Sequence, residues 1–326
     1  MLRIHFTPEA PERVRALTGP DPMWEILLSL HMVQTRPALP LFEQWRYRVQ
    51  SGMSREMWFL TELAPPAGYS PDFLTPMCGP DGLDRGIDTL LRTPGPRLRR
   101  ELGQLGRQRP LSPAVRSLVH HENGLRPVAA TLRRYFDLAL APEWDRIQNA
   151  AELGHRDGRL RHPTATRLPG ALRPAARFRG PWLLEVAYPF QRDLDLRGRD
   201  LHLIPSVFCR RYPIALQDPG LPPVVVYPLS AASYAPGVYG PPRPQRRRAL
   251  ERMLGSTRTA VLEALLQGCT TGELARRLGI SNASASEHAA VLRDAGLVTS
   301  HRDRNTVRHI TTDLGMALFH GPDAPG

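Results

Sequence analysis

The sequence predicts an α+β chain in two parts: a large mixed α/β N-terminal domain, then a small helical domain that ends in a strand hairpin. Three observations predict it. Helical periodicity dominates residues 21–153. Strand-like runs rich in Val, Leu, Ile and aromatics begin near residue 180. A Pro-, Gly- and Arg-rich stretch at 232–248 then separates these from a second helical series. The expected boundaries are 1–231 for the mixed domain, 232–248 for a linker and 249–320 for the C-terminal domain. A chain of 326 residues is long enough for two such domains.

Each element has a local cause. Leu2, Ile4 and Phe6 alternate with Arg3, His5 and Thr7, the pattern of a half-buried strand. Asp21-Pro22 opens a helix with an N-cap followed by proline at the first position. Met23, Trp24, Ile26, Leu27, Leu28 and Leu30 make that helix apolar over most of its circumference, so it is expected to be buried. Helical patches follow at 41–49, 55–64, 83–91, 98–105, 127–140 and 142–153, with a loop at 65–71. Strands are expected at 182–188, 201–208 and 224–227. Asp195-Leu196-Arg197-Gly198-Arg199-Asp200 reads as the turn of a hairpin between two of them. Helices first and strands later favour α+β over repeated βαβ units.

Bulk properties narrow the function classes. The net charge is +12, and every basic residue is Arg. Residues 243–326 carry 12 Arg against 8 Asp or Glu, and residues 1–242 carry 31 against 23, so the excess is denser at the C-terminus but not confined there. Charge alone therefore supports a polyanionic partner only weakly. Cys78, Cys209 and Cys269 are far apart with no C-x-x-C, which fits a reducing cytoplasm and no disulfide framework. No signal peptide or long apolar run is present, so no membrane partner is expected. The sequence has no Gly-rich phosphate loop, G-x-S-x-G or H-E-x-x-H. His120-His121 are adjacent, point in different directions on a helix, and have no companion at ligand spacing. The expectation is a protein that is not an enzyme and has no cofactor and no metal.

The most informative segment is 270–288. Thr270 with Glu273 forms a capping box, and Leu274, Ala275 and Leu278 face inward from the helix it starts. Gly279 ends that helix in a left-handed position, and Ser281 caps the next one. On this second helix Ala285, His288 or Ala289, and Leu292 recur at inward spacing, and His288 either is half-buried there or orients on a phosphate. Asn282, Ala283, Ser286 and Glu287 occupy its outward N-terminal turns. Ala295-Gly296-Leu297-Val298 stops the helix and starts a strand, and 298–301 with 306–311 form a hairpin around Arg302-Asp303-Arg304-Asn305. Residues 313–319 form a closing helix. This order is a winged helix-turn-helix, whose second helix enters a major groove about 12 Å wide. Candidate DNA-binding residues are Thr271, Ser281, Asn282, Ala283, Ser284, Ser286, Glu287 and His288, with Arg302, Arg304 and Asn305 on the wing. Arg246-Arg247-Arg248 are read as a charged linker.

The run from Leu254 to Phe319, about a fifth of the chain, resembles the winged helix-turn-helix of ArsR/SmtB-type transcriptional regulators. Thr257-Arg258, Glu273-Leu274-Ala275, Ser284-Ala285-Ser286-Glu287-His288 and Leu292-Arg293-Asp294-Ala295-Gly296-Leu297-Val298 carry the likeness. The N-terminal part is similar to that of a long variant of the family, through Asp21-Pro22-Met23-Trp24-Glu25, 71–76, 205–209 and 223–228. The resemblance implies a DNA-binding regulator, a homodimer, and repression relieved by an effector. Metal-sensing members carry Cys-x-Cys where this chain has Thr270 and Gly272, and the Asp/His cluster of their last helix is missing. That implies a regulator that does not sense metal. Arg304 stands where the wing turn usually has Gly, leaving Asn305 to supply a positive φ.

The expected function is a cytoplasmic, sequence-specific regulator that binds double-stranded DNA as a homodimer and responds to a small molecule through its N-terminal domain. Two alternatives remain at this level. The N-terminal domain is an enzyme placed by the DNA reader, or the winged domain binds protein. Residues 271–310 hold only 6 Arg against 4 acids, which keeps the second alternative open.

Overall fold

The structure is a computed structural model that describes residues 1–7, 14–35, 42–78, 82–121, 123–156, 168–169, 172, 176–210, 212–229, 244–267, 269–303 and 306–320. The chain divides into two compact units, Met1–Arg36 with Trp45–Leu229 and Pro37–Gln44 with Ser230–Gly326.

The N-terminal unit is mixed α+β. Its first strand, β1 (Leu2–His5), buries Leu2 and Ile4 and exposes Arg3 and His5, as the alternation requires. After β2 (Val14–Ala16) comes helix α1 (Pro22–Gln34). Asp21 caps α1 by accepting from the Met23 and Trp24 amides at 3.0 and 3.3 Å. All but two of its residues are buried, including the polar Glu25 and Ser29. Helices α2 (Glu43–Gly52), α3 (Arg55–Leu63), α4 (Leu83–Leu91), α5 (Gly95–Gln108), α6 (Pro113–Ser117), α7 (Leu125–Ala139) and α8 (Trp144–Arg156) follow. A 3-10 turn at Asp72–Leu74 and the short α6 lack enough apolar periodicity to be read from sequence. An apolar cavity of about 10 Å³ lies between α1, α3 and α7, lined by Ile26, Leu30, Leu60 and Leu132 among others.

Among the described residues the strands of this unit form two sheets. One has the order β3 (Ala176–Phe178), β4 (Leu183–Val186), β1, β5 (Arg192–Asp195). The other has the order β2, β6 (Leu201–Ser206), β8 (Val224–Pro228), β7 (Ile214–Ala215). The expected hairpin at 195–200 is corrected here. A strand lies on each side of the turn, but β5 pairs with β1 while β6 pairs with β2 and β8. The turn moves the chain from one sheet to the other, with Arg197 and Gly198 at φ of 48° and 74°. The β6 ladders to β2 and β8 are parallel. That explains why β8 is a run of buried residues rather than an alternating one.

The C-terminal unit contains α9 (Pro244–Leu254), α10 (Ser256–Ala264), β9 (Cys269–Thr270), α11 (Thr271–Leu278), α12 (Asn282–Asp294), β10 (Val298–Asp303), β11 (Thr306–Thr311) and α13 (Asp313–His320). Its core joins Leu250, Val261, Leu262, Cys269, Leu274, Ala285, Leu292 and Phe319. The three strands are ordered β10-β11-β9. The linker reading is also corrected. Residues 232–243 lie outside the described residues, and 244–248 are the first turns of α9. Arg is a good helix former, and two of the three Arg here have partners that hold the helix in place. Arg246 donates to the Leu318 carbonyl at 3.0 Å, and Arg247 lies 3.2 Å from Glu251 and 3.5 Å from Glu263. Among the described residues no helix is long and apolar enough to cross a membrane.

Candidate nucleic-acid interface

The turn between α11 and α12 is built by local chemistry. Thr270 Oγ1 accepts from the Glu273 amide at 3.3 Å, and the Glu273 carboxylate accepts from the Thr270 amide at 2.8 Å. This reciprocal pair satisfies two helix-end donors at once. Gly279 ends α11 at φ 66° and ψ 31°, where a side chain is disfavoured. Ser281 then caps α12, its hydroxyl accepting from the Ser284 amide at 3.1 Å.

α12 buries Ala285, Ala289 and Leu292 on one face. The two alanines leave little bulk between α12 and the helices beneath it. Asn282, Ala283, Ser286 and Glu287 are exposed on the first two turns, so the outward face is short, polar and free of large side chains. A face of this kind can approach base edges closely, and the uncapped amides of the helix start favour an anion beside it. Arg276 and Arg277 are located at the end of α11, and Arg293 is exposed near the end of α12.

The remaining candidates divide. Ser281 and Ser284 hydroxyls are 2.9 Å apart and serve the cap. His288 is half-buried, with Nδ1 enclosed and without a hydrogen-bond partner among the described residues. Thr271 is half-buried, with its hydroxyl turned to the wing, 2.9 Å from His309 Nε2 and 3.4 Å from the Val307 carbonyl. Arg302, expected in the wing turn, is corrected: β10 runs on to Asp303, and Arg302 pairs with Val307 in the ladder. The ladder continues without a break from Val298–Thr311 to Asp303–Thr306, which places Arg302 in the strand. Arg304 and Asn305 lie outside the described residues.

Sequence reasoning missed His309. It is 3% exposed, and Ser300 Oγ lies 2.8 Å from its Nδ1. Burial, and then the nearby Arg293, hold its imidazole below the ordinary histidine range. The available signal was position: Val307, His309 and Thr311 alternate on the inward side of β11, so a polar residue occupies a core site. Cys269 is a buried core residue. Among the described residues, no three His, Cys, Asp or Glu side chains come together as a metal-holding group.

Residues 253–301 match a family described as "Helix-turn-helix domain", of the ArsR/SmtB type. The chain is 39% identical over 66 residues to the HTH-type transcriptional regulator CmtR of Mycobacterium bovis and to the same-named proteins of two Mycobacterium tuberculosis strains. The match covers 20% of this chain and 56% of each relative, so the chain spans about half the length of the curated relatives it matches. No solved structure matches the chain significantly. The C-terminal unit therefore contains a helix-turn-helix domain, preceded by a large N-terminal region beyond the family match.

Proposed function

We propose that this protein is a sequence-specific, DNA-binding transcriptional regulator: a cytoplasmic homodimeric repressor whose N-terminal unit senses a small molecule and performs no catalysis. The observation that carries the reading is the outward face of α12. Asn282 can pair bidentately with adenine, Ser286 suits several bases, and Glu287 accepts from the cytosine amino group. The β10–β11 hairpin stands beside that helix as a wing, and the helix-turn-helix family match at 253–301 spans α12 and the start of β10.

The two-fold contact is assigned to α9 and α13. Met253 and Leu314 are 61% and 58% exposed on these helices, which pack on each other within the unit. A dimer that reads two adjacent half-sites would need its two copies of α12 about one helical turn of DNA apart, roughly 34 Å. An effector would act by favouring one spacing of the two helices.

A mobility-shift assay on the DNA upstream of the protein's own gene, with a genomic fragment library beside it, tests the reading. Binding should weaken steeply with salt, because each phosphate contact contributes a slope of about −0.9 in log K against log salt. Failure to bind any fragment, or binding insensitive to salt, rejects it. Sedimentation of the wild type and of a Met253→Glu, Leu314→Glu variant tests the dimer, and a monomeric wild type rejects that part.

A further inference from the structure

His309 joins three elements of the C-terminal unit through one buried ring. It lies on β11, opposite Ser300 of β10 and Cys269 of β9. Its Nδ1 is 2.8 Å from Ser300 Oγ, and its Nε2 is 2.9 Å from Oγ1 of Thr271, the first residue of α11. The Thr271 hydroxyl also donates to the Val307 carbonyl at 3.4 Å. A hydroxyl whose proton is used there accepts from the ring, which puts the imidazole proton on Nε2. Nδ1 then accepts from the Ser300 hydroxyl. One neutral tautomer satisfies both ring nitrogens.

At the root of the hairpin the Thr311 hydroxyl donates to the Leu262 carbonyl of α10 at 3.4 Å and the Thr312 amide to the Leu297 carbonyl at 2.9 Å, but neither bond reaches α11. Among the described residues β9 contributes two to the ladder, Thr270 opposite Arg308 and Cys269 opposite His309. A two-residue ladder fixes where the hairpin starts but constrains its direction weakly, because a two-stranded ribbon twists and is marginal alone. Apolar packing at the root, through Leu297 and Val298, is non-directional. The paired hydrogen bonds of His309 are directional and bind β10 on one side and α11 on the other.

We propose that His309 is a positioning residue for DNA binding: by tying Ser300 to Thr271 it sets the angle of the wing relative to the helix-turn-helix, and so where the wing meets the duplex flanking the groove that α12 occupies. The inference rests on the DNA-binding reading above and adds to it the residue that couples the two DNA-facing arms.

The test uses the full chain and a duplex recovered by selection from a random-sequence library. Ser300→Ala removes one hydrogen bond of the ring, and Thr271→Val removes the other together with the hydroxyl's bond to the Val307 carbonyl, both with little change in shape. His309→Leu removes both, and His309→Gln retains one donor and one acceptor. Hydroxyl-radical protection separates the central site from its flanks. The expected result is that folded Thr271→Val and Ser300→Ala proteins keep the central protection and the selected sequence but lose flanking protection. The salt slope should become shallower by about 0.9 for each phosphate that the wing no longer neutralises. His309→Gln should recover flanking protection relative to His309→Leu. Thr271→Val and Ser300→Ala proteins with wild-type flanks and slope overturn the inference while leaving the DNA reading intact. Loss of central and flanking protection in equal measure also overturns it. A wild type that selects no duplex overturns both, and does so before any substitution is made.

Discussion

The Glu25 carboxylate accepts a 2.8 Å hydrogen bond from the Ser206 hydroxyl, across 181 residues of chain. The same carboxylate accepts from the Val207 and Phe208 amides at 2.9 and 3.3 Å. It thereby fastens the buried helix α1 to the chain leaving β6. Complete burial pushes the Glu25 carboxyl up to about 7, and the three hydrogen bonds offset only part of that rise.

The sign of the pH effect follows. The folded protein keeps this proton up to about pH 7, whereas the unfolded chain releases it from about 4.5. The stability it contributes is complete below pH 4.5 and is lost as pH rises through 7, a change on the order of 3 kcal/mol. Glu25→Gln has no such titration, and its amide nitrogen cannot accept from the backbone, which costs about 1–3 kcal/mol. Urea unfolding at pH 5 and pH 8 should show the deficit of Glu25→Gln shrinking at the higher pH. A deficit that is equal at both would count against this account.

His31 works at the other end of the range. It lies on α1 with Nε2 3.1 Å from Ser70 Oγ, and burial pushes its imidazole down to about 4. The unfolded chain takes up this proton below about 6.5 while the folded one resists, so stability falls as pH drops from 6.5 through 4. His31→Gln should therefore flatten the acid limb of the urea midpoint against pH, and a profile parallel to wild type would refute the assignment.

Two glycines of the C-terminal unit should respond differently to Ala. Gly279 has φ 66° and nothing within 4 Å of an added Cβ, so Gly279→Ala costs only the backbone term, about 1 kcal/mol. At Gly315 an added Cβ would press on the Leu297 carbonyl and come within 2.6 Å of Thr311 Cγ2. Gly315→Ala must shift α13 against the sheet, a cost nearer 1–3 kcal/mol. Thermal melting of both variants checks the order, and a reversed order would contradict it.

On α12, Asn282→Ala and Ser284→Ala should separate recognition from architecture. Asn282 is exposed on the outward face, so its loss should relax the selected sequence at one base position, worth about 1–3 kcal/mol of discrimination. Ser284 hydrogen-bonds the capping Ser281, so its loss should lower the melting temperature and leave the selected sequence unchanged. Sequencing the duplexes each variant selects decides this, and a shifted preference for Ser284→Ala would be the contrary result.

The amino-acid sequence by itself determined whatever depends on neighbours a few residues apart. The Asp21-Pro22 start, the Thr270–Glu273 capping box, the left-handed Gly279 and the Ser281 cap are complete within one turn of chain, and the structure has each of them. The alternation of β1 and the inward spacing of Ala285, Ala289 and Leu292 are equally local. Only the tertiary structure decided the pairings between distant segments. It put β5 and β6 in different sheets, because the partner of β5 is the first strand of the chain. It made Thr271 a hydrogen-bond partner of His309, 38 residues away. It made helix of the Arg246–Arg248 stretch, whose partners Glu263 and Leu318 lie well along the chain. A side chain's local propensity is fixed by its neighbours in sequence, but the partner that satisfies its polar atoms is chosen by packing.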